Sequence, residues 1–209
     1  MAARDPSNDD PRLQLEPASG RSRLWLLLLT VAVPVLLAAM ASLLPGRGPA
    51  PYWLPGLLPP WLAVPLFVLV LAAAIWFALD RLMQRHRLRL DTGMLEIVTT
   101  LYRLRLPLSD LQIDAARVVA IDERPELKPM LKSNGMALPG FRSGWFRSRT
   151  FKKLFVATAG GKRLLWLPTS RGHALLLQVR QPHVLLERLR ELAADATAGA
   201  RMTAGVRAR

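Results

Sequence analysis

The sequence predicts two transmembrane α-helices followed by a mainly-β domain, a small bent antiparallel barrel with a helix over one open end. Three observations predict it. Two uncharged apolar runs of bilayer-spanning length, 24–44 and 61–79, open the ordered part of the chain. From Arg81 onward the pattern changes to short β-like runs separated by turn residues. After Pro182, leucines recur at helical spacing.

Residues 1–23 mix Pro, Ser, Asn, Asp and Arg without apolar periodicity and read as a disordered tail. Leu24 to Leu44 then runs without a charge, about 31 Å of helix at 1.5 Å per residue. Pro34 near its middle is tolerated in a membrane helix when neighbours satisfy the freed carbonyl. Ala39-Met40-Ala41 resembles a signal-peptide cleavage site, but the preceding tail carries Asp5, Asp9, Asp10 and Glu16, whereas a signal n-region is basic. The span is therefore read as retained. Residues 45–60 are dense in Pro and Gly and form an irregular loop, and Trp61 to Leu79 is the second span. Trp25, Tyr52, Trp53, Trp61 and Trp76 lie near the span ends, where amphipathic rings favour the headgroup region. Asp80 ends the second span, reaching headgroups or pairing with an Arg.

Orientation follows from the cations. Arg4, Arg12, Arg21 and Arg23 precede the first span, Arg47 lies between the spans, and Arg81, Arg85, Arg87 and Arg89 follow the second. Loops rich in Arg and Lys stay cytoplasmic, so both termini are read as cytoplasmic and 45–60 as periplasmic.

In the domain, residues 81–195, strands are expected at Arg87 to Leu90, Leu95 to Thr99, Leu101 to Leu106 and Val118 to Ile121. Tyr102, Leu104 and Leu106 share one face, and Arg103 and Arg105 the other. Asp122 to Thr150 reads as a long Gly- and Pro-containing connection. Leu154 to Thr158 and Leu164 to Leu167 flank Ala159-Gly160-Gly161-Lys162 and read as a hairpin. Ala174 to Val179 is a further strand. Pro182 opens a helix with Leu185, Leu189 and Leu192 on one face. Residues 196–209 read as a flexible basic tail.

Three segments, Tyr102 to Leu111, Leu138-Pro-Gly-Phe-Arg-Ser-Gly-Trp-Phe-Arg147 and Leu165 to Thr169, resemble the bacterial pleckstrin-homology-like domain family over residues 87 to 194. Members often follow two membrane spans. The resemblance implies a pleckstrin-homology-like bent antiparallel barrel of about seven strands with a C-terminal helix, in the bacterial inner membrane, without an established catalytic activity or a single ligand. Gln178-Val179-Arg180-Gln181 departs from the Ser- and acid-containing approach to the helix that the family implies.

Composition bounds the function. Lys and Arg number 29 against 15 Asp and Glu, a net charge of +14, which points to an anionic partner. With 0 Cys, disulfides, thiolate metal sites and a Cys nucleophile are excluded. His86, His173 and His183 are scattered, so no metal or cofactor site is assigned. Asp122, Glu123 and Glu126 lack a nucleophile or His nearby, so no catalytic residue is assigned and the chain is read as a non-enzyme. No nucleic-acid-binding motif accompanies the charge.

The candidate surface is 141–153, where Arg142, Trp145, Arg147, Arg149, Lys152 and Lys153 interleave cations with Phe141, Phe146 and Phe151. Cations bind phosphate and aromatics enter the lipid interface, so this pattern suits anionic headgroups. The plainer reading packs the aromatics into the barrel and leaves the cations solvated. Two spans anchor the chain more firmly than a basic patch, so lipid contact would orient the domain. The sequence thus points to an inner-membrane-anchored binding or scaffolding module, acting on a protein partner or through self-association, with anionic-lipid recognition by 141–153 as the alternative.

Overall fold

The computed structural model describes residues 13–44, 60–91 and 93–207, with 60–61 and 196–207 by backbone alone. It divides into a helical unit, Gly20–Leu82, and a β unit made of the preceding residues together with Met83 onward. The 45–59 loop lies outside the described residues.

The helical unit holds α1 (Gly20–Leu43) and α2 (Pro60–Met83), both long and apolar enough to cross a membrane. Only 6% of each apolar window is buried, which separates them from core helices of a water-soluble domain. Both helices overrun the spans read from charge, because Gly20 to Arg23 and Asp80 to Leu82 also hold helical geometry. Pro34 has no N–H, and its ring crowds the carbonyl one turn back. The helix answers with a π-turn over Leu28–Ala32, where the Val33 N–H donates to the Leu28 carbonyl. Asp80 is buried and accepts two bonds from Arg23, Nε at 2.6 Å and Nη2 at 2.9 Å, a bidentate pair joining the two helices.

In the β unit, β1 (Arg87–Asp91), β2 (Met94–Val98) and β3 (Arg103–Pro107) form an antiparallel meander. Its alternation is clean: Leu88, Leu95, Ile97 and Leu106 are buried, while Glu96 on the other face pairs with Arg103 and Arg105. Those guanidiniums hold the Glu96 carboxyl below its usual range. The second sheet has six strands, β4 (Arg117–Ala120), β5 (Pro129–Leu138), β6 (Phe141–Ser148), β7 (Lys153–Thr158), β8 (Arg163–Pro168) and β9 (His173–Leu177), in the order β4-β8-β9-β7-β6-β5. The helix α3 (Pro182–Arg207) follows and runs on through 196–207, where composition alone reads a flexible tail.

One core lies between the sheets and α3, including Leu88, Ile97, Phe155, Leu165, Leu185 and Leu189. A second lies on the other face of the large sheet, with Phe146, Leu154, Val156 and Leu176, against which Ile121, Leu127 and Trp166 pack. Strands covered on both faces read as unbroken apolar runs, which explains Leu154 to Ala157 and Ala174 to Leu177. Leu106, Leu185 and Leu189 are buried as their spacing requires, Tyr102 and Leu104 partly so, and Val156 belongs to the second core.

The structure departs from the expected seven-stranded antiparallel barrel. Among the described residues there are nine strands in two sheets, no strand of one sheet pairs with the other, and β7 pairs β9 in parallel. The hairpin expected at 154–167 does not form, because β9 inserts between β7 and β8. Gln178, buried at the end of β9, fills the connecting turn. Its Oε1 accepts from the Ala159 and Gly161 N–H groups, both at 2.8 Å.

Residues 122–150, read as a connection, contain the hairpin β5–β6. Its two-residue Pro139-Gly140 turn has Gly140 at φ 79°, as a type II turn demands. Gly135 and Gly144 face each other across the strands. A Cβ on Gly135 would lie 2.4 Å from the Ser143 carbonyl oxygen, so these glycines permit close strand approach rather than marking a loop.

The N-terminal segment also differs from the tail reading. Leu13 and Leu15 are buried, Leu15 bridges Val179, and the Glu16 N–H donates to the Gln178 carbonyl at 3.0 Å. The alternation Leu13-Gln14-Leu15 is enough to add a short strand-like piece to the sheet.

Candidate functional site

The strand register divides the candidate surface between two ends of the large sheet. β6 runs from Phe141 to Ser148, about 23 Å at 3.3 Å per residue. Arg142 pairs with Thr158 near its start, whereas Arg147 pairs with Lys153 near its finish. Alternation also puts Arg142 and Arg147 on opposite faces, so the six residues do not form one site.

At the hairpin end, four residues turn β6 into β7. The Ser148 N–H donates to the Lys152 carbonyl at 2.9 Å and the Phe151 N–H to the Ser148 carbonyl at 3.0 Å. Arg147 Nη1 braces the Phe151 carbonyl at 3.3 Å. Phe151 sits at φ 59°, the left-handed region that costs a bulky L-residue about 1–2 kcal/mol, and its side chain is 65% exposed. Below the turn, Trp145 packs edge-on against Phe155 at 5.1 Å and His173 at 5.3 Å, and Lys153 Nζ lies 4.5 Å from the Trp145 ring centre. Burial, with help from Lys153 and Arg171, lowers the His173 pKa against a hydrogen bond to the Arg171 backbone.

The neighbouring strand completes this end. Leu131 pairs with Arg147 and Pro129 with Ser148, bringing β5 alongside. Met130 is 60% exposed and Leu131 54%. Lys128 and Lys132 flank them. Among the described residues, no carboxylate pairs with Arg147, Arg149, Lys152, Lys153, Lys128 or Lys132. This end of the sheet thus exposes Met130, Leu131 and Phe151 on segments that also carry six cations. Met130 and Leu131 escape sequence reasoning because they are far from 141–153 in the chain. Phe141 and Phe146, counted there with the surface, are buried.

The opposite end carries the chain's links toward the helices. Glu16 bonds to Gln178, and the His86 ring stacks on Phe141 at 5.1 Å and 20°. His86 is buried, and burial pushes its pKa down to about 4, against a hydrogen bond to the Glu16 backbone. Two cavities open at this link end. One of about 540 Å³ is lined by Asp122, Arg142, Thr158 and Lys162, and one of about 580 Å³ by Glu16, Lys162, Arg163, Gln178, Arg180 and His183. No cluster of His, Asp or Glu suited to a metal occurs among the described residues.

No protein-family model, curated protein or solved structure matches the chain.

Proposed function

We propose that the chain is a two-span protein of the bacterial inner membrane that displays a pleckstrin-homology-like domain to the cytoplasm and holds an acidic partner protein at the hairpin end of its large sheet. The observation that carries the reading is the trio Met130, Leu131 and Phe151 exposed among six cations. Exposed apolar side chains on a cation-rich end of the sheet fit a partner with apolar pockets and an acidic rim. The strain at Phe151 adds support, since a strained, exposed aromatic contributes little to folding.

Like charges argue against two copies meeting through this face, which favours a different protein over self-association. The strand register divides the 141–153 run between two ends and two faces, so the run offers no single headgroup site. The exposed apolar surface of α1 and α2 supports membrane insertion, and the cations flanking them support the cytoplasmic placement. The resemblance to the family is most specific at Leu138 to Arg147, which spans the β5–β6 turn and most of β6. No catalytic step is proposed.

Photo-crosslinking in native membranes tests the partner reading. A photoreactive residue at position 151 should give a discrete adduct with an acidic protein. Arg147→Glu with Arg149→Glu and Lys152→Glu should abolish it while the protein stays folded. An adduct indifferent to charge reversal would reject the site.

A further inference from the structure

We infer that the link-end cavity lined by Lys162, Arg163 and Arg180 binds the phosphate of an anionic phospholipid headgroup, so that the domain contacts lipid with the end opposite its partner surface. The inference rests on the membrane assignment above and is independent of the partner at the hairpin end.

Three cations line the cavity, and its wall is held in shape. Lys162 and Arg163 leave the turn that Gln178 fills, and Gln178 is 4% exposed. Its Oε1 takes both turn N–H groups, while its Nε2 donates to Glu16 Oε2. That bond holds the carboxylate in place, leaving three cations against one carboxylate in the lining. A Cβ on Gly161 would meet Gln178 Nε2 at 2.3 Å, so a larger residue there would displace this side chain. Arg180 also lines the cavity, and its backbone N–H is fixed on the Gln14 carbonyl at 3.3 Å. The first turn of α3 adds no acidic residue. The Lys162–Asp122 pair is 3.8 Å long with both side chains mostly exposed, too loose to neutralise Lys162.

Covalent reach places lipid within range. Three residues separate the end of α2 at Met83 from β1, and three separate Glu16 from α1; three extended residues span at most about 11 Å. A headgroup phosphate offers acceptor oxygens that Lys and Arg recognise. Each cation near an anionic surface contributes about fivefold in affinity.

The test uses the full chain in detergent, with native mass spectrometry reading how much phosphatidylglycerol is retained relative to phosphatidylcholine. The wild-type chain should prefer the anionic lipid, and Lys162→Gln with Arg163→Gln and Arg180→Gln should reduce that preference by about fivefold per cation. The charge-keeping set Lys162→Arg, Arg163→Lys and Arg180→Lys should retain it, which separates lost charge from lost fold. The hairpin set Arg147→Gln, Arg149→Gln and Lys152→Gln should leave it unchanged. Equal retention by the link-end triple variant and wild type would overturn the inference. Displacement of the lipid by millimolar inorganic phosphate or glycerol phosphate, at matched ionic strength, would assign the cavity to a soluble anion and overturn it too. Failure of the membrane assignment itself would show separately, as release of the chain from membranes by alkaline carbonate.

Discussion

The two ends of the six-stranded sheet are both cationic, yet they are built differently. At the hairpin end, Met130, Leu131 and Phe151 are exposed on segments that also carry cations, and the turn is strained. At the link end, cations line a cavity whose wall is fixed by the buried Gln178, with apolar groups such as Phe141 drawn inside. Charge alone therefore does not specify a partner. Exposed apolar groups among charges suit a protein with matching pockets, whereas a cationic cavity suits a compact anion. The register of β6, which sends Arg142 and Arg147 to different ends and faces, turns one run of sequence into two surfaces.

Both ends share the core between the sheets and α3, and breaking it should give the largest effect. Phe155 is fully buried and meets the rings of Tyr102 and Trp145, so Phe155→Ala should cost about 3–5 kcal/mol. Leu189→Ala beneath α3 should cost about 2–5 kcal/mol. Chemical denaturation of the full chain in micelles, followed by near-ultraviolet circular dichroism, reads both. Loss of only one end would show that the two surfaces do not share a cooperative unit.

Acid should act first at the link end. His86 titrates near 6.5 when unfolded and about 4 when folded, so the unfolded chain binds the extra proton. Stability is full above about pH 6.5 and falls as pH drops toward 4, by roughly 3 kcal/mol in total. His86→Gln should flatten that slope. An unchanged slope in the variant would contradict the assignment of the acid response to this ring.

Gln178→Ala sharpens the comparison further. It strips the Ala159 and Gly161 N–H groups of their acceptor, a loss of about 1–3 kcal/mol. Hydrogen exchange should quicken at 159 and 161 and stay unchanged at 148 and 151. The smallest effect belongs to the hairpin: Phe151→Gly relieves the left-handed strain and should change stability by less than about 1 kcal/mol while weakening the position-151 surface.

Legibility in the sequence followed locality. The spans were readable because uncharged length is a local property, the meander because Leu95, Ile97 and Leu104, Leu106 alternate, and α3 because Leu185 and Leu189 repeat at four. The β5–β6 hairpin was hidden because two register shifts near Pro129 and Lys132 break its alternation, and because Gly135 and Gly144 resemble loop signals. The insertion of β9 was hidden because strand order is a long-range property. The cations at 147–153 were readable as a cluster, but the apolar partners Met130 and Leu131 arrive only through pairing across the hairpin.

The most direct test of the two-ended account uses the absence of cysteine, which leaves any introduced thiol unique. Thr150→Cys marks the hairpin end and Asp122→Cys the link end, each carrying a fluorophore on the full chain in nanodiscs containing phosphatidylglycerol. With a quencher attached to the lipid headgroups, the label at position 122 should be quenched several-fold more strongly than the label at 150, and added salt should narrow the gap as exposed charges are screened. Quenching at 150 equal to or greater than that at 122 would contradict the account.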